Sequence, residues 1–296
     1  MNHIGFTPGD KPVADSPDGS LQTLVRGLAV LDIIACGSGT VSAKEVGARL
    51  EIRTGTVYHL IRTLRDAGYI RRIEGGTYDV GPMGARLGRH LEERTAPSPE
   101  ISSILSRLHH KTRENAYVTG WYHGSMMMLQ AIQGTRTISV RNLEVGFGGM
   151  YHARASCKAI LAFLPRAQVV AMLGETELEA LTPHTITDFD DLLSQLQETA
   201  RRGYALDLEE FAEGVACISA PFFDDADRPI GSFSVNLPAA RFAEEHPALV
   251  AAVQEAAGIA TTLYRTGRLA LPAQSVPSSK RPIRRRRPTD PEEMLA

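Results

Sequence analysis

The chain has 296 residues, 43% of them hydrophobic and 22% charged, with a formal net charge of −2. That length exceeds one ordinary core and that composition describes a soluble globular protein, while no apolar run approaches the roughly 20 residues of a membrane span. The first twenty residues lack the basic and apolar stretches of a secretory signal, so a cytoplasmic protein without a membrane partner is expected. The near-neutral total conceals segregation. Arg49 to Arg72 carries six Arg against Glu51 and Asp66, whereas Ala116 to Arg268 carries eleven Lys and Arg against eighteen Asp and Glu. A basic patch on an acidic protein is the footprint of a phosphate-binding surface. Cys36, Cys157 and Cys217 are far apart and show no zinc or redox spacing, so neither metal nor cofactor is expected.

Residues 1–19, rich in Gly, Pro, Asp and Ser, read as a disordered lead-in. Ser20 is placed to cap a first helix with Leu21, Leu24, Val25, Leu28 and Leu31 as its apolar face, ended by Gly37-Ser38-Gly39. Ser42 with Glu45 three residues on is a capping-box spacing that opens a second helix, running to about Leu50. After a turn at Glu51 to Arg53, a third helix buries Val57, Leu60, Ile61 and Leu64, and Gly68 supplies a left-handed cap. A hairpin follows from Tyr69 to Ile73 and Thr77 to Val80 around Gly75-Gly76. Three helices with a short second turn and then a hairpin make a winged helix-turn-helix, assigned to residues 20–94.

Ser98, Pro99 and Glu100 start another helix with the stripe Ile101, Ile104, Leu105 and Leu108, read as a linker over residues 95–115. That stripe needs an apolar partner, either a second copy or the chain's own wing. Residues 116–268 mix strands at Ala116 to Trp121, Met126 to Ile132, Val215 to Pro221 and Ile230 to Leu237 with helices near Ser156 to Leu164 and Asp188 to Arg202. A last helix spans about Ala239 to Tyr264. The fold class is α+β. Residues 269–296, Pro-rich with Arg284 to Arg287 in a run, read as a disordered basic tail.

The segment LVRGLAVLDIIA…VSAKEVGARLEIRTGTVYHLIRTLRDAGYIRRIEGGTYDVGPMGARLG resembles the IclR family, the isocitrate-lyase-regulator type. HARASCKAILAFLP, LTPHTITD, RRGYALDLEEFAEGVACISAPFFD and the corner Pro238-Ala239-Ala240-Arg241 follow in that family's order, so the resemblance covers roughly Leu21 to Arg268. It implies a winged helix domain, a linker helix and a GAF-like effector-binding domain. It also implies a homodimer or dimer of dimers on a pseudo-palindromic double-stranded DNA operator, with repression the commoner outcome.

On the third helix the residues read as opposite the apolar face are Thr56, His59, Thr63 and Asp66, with Thr54 at its start, Arg53 just ahead of it and Arg62 on the flank. Recognition helices reach base edges from their first turns, and Arg contacts guanine or phosphate. The resemblance places Thr56 and His59 in the family's DNA-contacting stretch, although His59 stands where Arg is usual. Arg71 and Arg72 begin the wing, where phosphate contact and solubility are equal readings. For the effector, the resemblance carries its pocket onto Arg154, Ala155, Ser156, Asp207, Val215, Cys217, Ser234 and Asn236. Three departures stand out: Arg154 in place of a small Thr or Ser, Cys157 in place of the Gly of a GK pair, and Met150 in place of Pro. Arg154 and Lys158 flanking a helix start point to a small anion, a carboxylate above all. Asp207 has a turn-capping reading as good as a ligand contact. Two other chemistries remain: His152 and Cys157 as base and nucleophile of a hydrolase, and redox sensing by Cys157 or Cys217.

Overall fold

The computed structural model describes residues 21–269 except 38, 136–145, 147 and 175–177, so the expected lead-in, the Arg-rich tail and Ser20 lie outside the described residues. The principal division between two compact units falls between Ala96 and Pro97.

The first unit runs α1 (Gln22–Cys36), β1 (Val41–Ser42), α2 (Ala43–Leu50), α3 (Thr54–Asp66), β2 (Ile70–Arg72), β3 (Thr77–Val80) and α4 (Pro82–Thr95). Its strands form an antiparallel sheet in the order β1-β3-β2. The capping box forms as expected: Glu45 N–H donates to Ser42 Oγ at 3.3 Å, and Ser42 N–H donates to Glu45 Oε2 at 2.7 Å. Glu51 turns the chain left-handed at φ 53°, and Gly47 lets α2 and α3 approach, since a Cβ there would sit 3.4 Å from Val57 Cγ2. Gly68, at φ 78°, donates to Arg65 O while Tyr69 donates to Leu64 O, which closes α3 with a Schellman motif.

α1 departs from expectation. It opens at Gln22 with Leu21, not Ser20, at the cap position, and its inward residues are Ala29, Val30 and Ile34. Leu21, Leu24 and Leu28 are 74%, 59% and 56% exposed. The helix carries two apolar stripes, and helical periodicity marks both without saying which one meets α2 and α3. α4 went unread because Met83, Leu87 and Leu91 are too sparse among charged and glycine residues to mark a face.

The second unit runs α5 (Pro99–Thr112), β4 (Asn115–Tyr122), β5 (Ser125–Ile132), α6 (Ala155–Leu161), α7 (Arg166–Leu173), α8 (Phe189–Arg202), β6 (Ala205–Leu208), β7 (Val215–Phe223), β8 (Pro229–Pro238) and α9 (Ala239–Arg265). Its antiparallel sheet has the order β5-β4-β8-β7-β6. α5 is not the linker that its position suggested. Ile101, Ile104, Leu105 and Leu108 are buried in one core with Leu249, Val253 and Ala257 of α9 and with the sheet, so the stripe finds its partner inside its own unit. α7 and β6 were missed: the helix read as ending near Leu164 is followed, after Pro165, by α7, whose apolar residues mark no single face, and the four residues of β6 are too few to show alternation.

β4, β7 and β8 are buried on both sides and sort their residues by parity. Ala116, Val118, Ala216, Ile218, Ala220, Phe233, Val235 and Leu237 face α5 and α9. Their alternates, Asn115, Tyr117, Thr119, Cys217, Ser219, Ser232, Ser234 and Asn236, lie on the other face, where Ser232 Oγ donates to Ser156 O of α6 at 2.9 Å. At the edge of this layer, buried Glu114 accepts two bonds from Arg241, at 2.7 and 2.9 Å, tying the start of β4 to the start of α9.

Candidate functional site

α3 is set by burial of Val57, Leu60 and Ile61. At 3.6 residues per turn the opposite line is Gly55, His59, Arg62 and Asp66, so His59 and Arg62 hold the centre, while Thr56 and Thr63 flank it. Arg53, Thr54, Thr56, His59, Arg62, Thr63, Arg71 and Arg72 are all exposed. Several have partners that limit their freedom. Arg62 Nε is 3.7 Å from Asp66, Thr63 Oγ1 donates to His59 O at 3.0 Å, and Arg71 bonds Asp79 across the wing at 3.1 Å. Tyr58, 55% exposed, stands on the same open surface. It was passed over because an aromatic beside Val57 reads as core. The first turn of α3 holds no carboxylate to repel phosphate.

The effector candidates converge on the polar sheet face. Asp207, Cys217, Asn236 and Asn115 form one cross-strand row through four strands, and Ser219, Ser234 and Tyr117 form the next. Arg154, Ala155, Ser156, Asp207, Cys217, Ser234 and Asn236 are buried, and Val215 is half-buried. Arg154 is the N-cap residue of α6, with its guanidinium 6.0 Å from the Phe211 ring centroid. Its charge lowers the proton affinity of Tyr117, Cys157 and Cys217, which places it electrically within reach of both α6 and the sheet.

One assignment changes, that of Lys158, and two other positions, Asp207 and Met150, gain a definite geometry. Lys158 does not flank an open anion site: it is fully buried and bonds Glu210 Oε1 at 2.6 Å, and burial pulls its ammonium below the ordinary value against the attraction of Glu210. Asp207 Oδ1 accepts from the N–H groups of Glu210 and Phe211 at 2.8 and 3.2 Å, the turn-capping role. Burial raises its carboxyl to about 7, opposed by Lys158. Met150 has φ 46°, a conformation closed to proline, so the backbone here differs from one built around the family's Pro. Asn115, Tyr117, Ser219 and Glu210 were missed. Tyr117 Oη and Cys217 Sγ share a hydrogen bond at 2.9 Å, and Asn115 Nδ2 donates to Asn236 Oδ1 at 2.8 Å. Strand parity identifies the first three, but only after pairing register is known.

A winged helix-turn-helix joined to a mixed helix and sheet domain with a buried polar face defines the class: a DNA-binding transcription regulator. The model described as the IclR helix-turn-helix domain matches residues 23–74, and that described as bacterial transcriptional regulator IclR C-terminal matches residues 99–260. The chain belongs to the IclR family. It is 28% identical over 242 residues to the transcriptional repressor IclR of Escherichia coli strain K12, covering 80% of this chain and 88% of that protein. The crystal structure of Thermotoga maritima IclR is similar at TM-score 0.61 and 25% identity, over 81% of this chain and 97% of that one. An IclR homolog of Microbacterium hydrocarbonoxydans, complexed with 4-hydroxybenzoate, has TM-score 0.58 and 19% identity, over 80% and 96%.

His152 and Cys157 do not form a nucleophilic pair. His152 Nε2 donates to Glu179 O at 2.8 Å, and burial raises the Cys157 thiol. Burial also pushes Cys217 to about 12, whereas Cys36 is exposed. Thiolate is the reactive form, so maleimide labelling of the native chain at pH 7.5 is expected to modify Cys36 promptly and Cys157 and Cys217 only on unfolding. Prompt native labelling of Cys157 or Cys217, read by peptide mass spectrometry, reopens the redox reading.

Proposed function

We propose that this regulator represses its target by reading a pseudo-palindromic operator through α3, as a homodimer or dimer of dimers. A small carboxylate, held by Arg154 between α6 and the polar sheet face, modulates operator affinity. The chain acts by binding and not by catalysis. Arg154 carries the proposal: it is only 5% exposed, at a position where a small residue is usual, and its charge reaches Tyr117 and Cys217 of the sheet. Close to it in the chain, Lys158 forms an ion pair with Glu210, and Asp207 is half neutral near pH 7. The complex of a distant family member with 4-hydroxybenzoate, a carboxylate, supports the same chemistry.

On the DNA side, His59→Ala and Arg62→Ala are expected to weaken binding to a duplex enriched from a random library by the wild-type chain. If Arg62 contacts phosphate, its variant also loses about 0.9 from the slope of log affinity against log salt. Unchanged gel-shift affinity of both variants across a salt series removes α3 as the reader.

A single helix-turn-helix covers a half-site, and the exposed Leu21, Leu24 and Leu28 stripe of α1 in the DNA-binding unit supports that face as the seat of a second copy. Light scattering should give a multiple of the monomer mass, reduced by Leu24→Glu with Leu28→Glu. A wild-type monomer at micromolar concentration ends the oligomer reading, and an unaltered oligomer in the double variant ends the α1 assignment.

For the effector, a thermal-shift screen of small carboxylates supplies a hit. Calorimetry then compares the acid and its methyl ester with wild type and Arg154→Ala. The acid alone should bind, with a loss of about 1.5–3 kcal/mol in the variant. Asp207, raised to about 7 from an ordinary 3.8, is neutral below that pH and anionic above it. Affinity for an anion should therefore fall from pH 6 to pH 8, while the stability that the neutral carboxyl contributes is full below 3.8 and is lost progressively as pH rises through about 7. Equal binding of acid and ester to both proteins overturns the proposal.

A further inference from the structure

We infer that Gly55 is a specificity-determining residue, the point at which the α3 backbone comes closest to a base edge of the operator. The inference rests on the reading of α3 as the DNA-contacting helix. Glycine is the poorest helix former after proline, and it needs a reason inside a helix. In several glycines of this unit the reason is steric: a Cβ on Gly47 would meet Val57 and Ile52 at 3.4 Å, and one on Gly84 would meet Val80 at 2.7 Å. At Gly55 a Cβ meets nothing within 4 Å, and the backbone is not in the left-handed region. Neither packing nor conformation calls for glycine there. Gly88 and Gly258 are equally open, but neither lies on α3.

What distinguishes Gly55 is its place. It is exposed, in the first turn, on the line that continues through His59 and Arg62. The N-terminal residues of a recognition helix are those that meet base edges in a major groove about 12 Å wide. A missing side chain at that point lets the helix sit deeper, so that His59 and Arg62 on the next turns reach the bases at all. A Cβ there would act as a spacer against the correct sequence, while non-specific binding, made through phosphates, would be little changed.

The test uses the full chain, the enriched duplex and a scrambled duplex of the same composition. Gly55→Ala and Gly55→Ser both add a Cβ, and alanine and serine are both better helix formers than glycine, so the fold is kept. Both should bind the enriched duplex about tenfold more weakly or worse, with scrambled-duplex affinity unchanged and Tm equal to or above wild type. Wild-type affinity for the enriched duplex, or an equal loss on both duplexes, overturns the inference. Arg62→Ala in the same assay separates the layers: a loss there without one at Gly55 ends this inference alone, and a loss at neither ends the reading beneath it.

Discussion

The sheet of the second unit is covered on both sides, and that constraint shapes the rest of the domain. A strand covered on both faces ordinarily reads as a continuous apolar run. Here β4, β7 and β8 alternate instead, with Val118, Ile218, Phe233 and Val235 packed on α5 and α9, and Tyr117, Cys217, Ser234 and Asn236 buried on the other side. Each buried polar group costs on the order of 1–3 kcal/mol unless it is bonded. The bonds are there for most of them: Asn115 to Asn236, Ser219 to Ser234, Ser232 to Ser156, Tyr117 to Cys217. An apolar face would satisfy the fold at less cost. The polar one makes sense as a surface kept for a ligand with hydrogen-bonding groups.

Two ion pairs fix elements to one another: Lys158 with Glu210 ties α6 to the loop after β6, and Glu114 with Arg241 ties β4 to α9. Breaking such a pair is far more damaging than lacking it, because one ion is left in a low-dielectric interior. Asp207 belongs with them, since its Oδ1 holds the turn that presents Glu210 to Lys158. Arg154, at the start of α6, lies 6.0 Å from the Phe211 ring centroid, and its charge acts on Tyr117 and Cys217 of the sheet.

The sequence made legible whatever is decided by neighbours in the chain. The Ser42 and Glu45 box, the apolar triplet of α3 and the turn at Gly75-Gly76 are local, and each formed where its chemistry required. The effector candidates on β6, β7 and β8 landed on one face because resemblance supplied their positions and period-two geometry kept them together. What stayed hidden was decided by tertiary partners. Two stripes on α1 were both apolar, and only packing on α2 and α3 selected Val30 and Ile34 over Leu24 and Leu28. The stripe of α5 was seen correctly but given to the wrong neighbour. Lys158 looked like a free cation beside a helix start until Glu210, 52 residues away, came into contact.

The most direct measurement is a crystal structure of the full chain with the carboxylate that most raises its Tm. The account predicts ligand density between α6 and the polar sheet face, with the carboxylate about 3 Å from the Arg154 guanidinium and its remaining polar groups toward Tyr117, Ser234 or Asn236. Density anywhere else in the molecule, such as the groove between α5 and α9 lined by Arg107, Lys111 and Glu255, would contradict it.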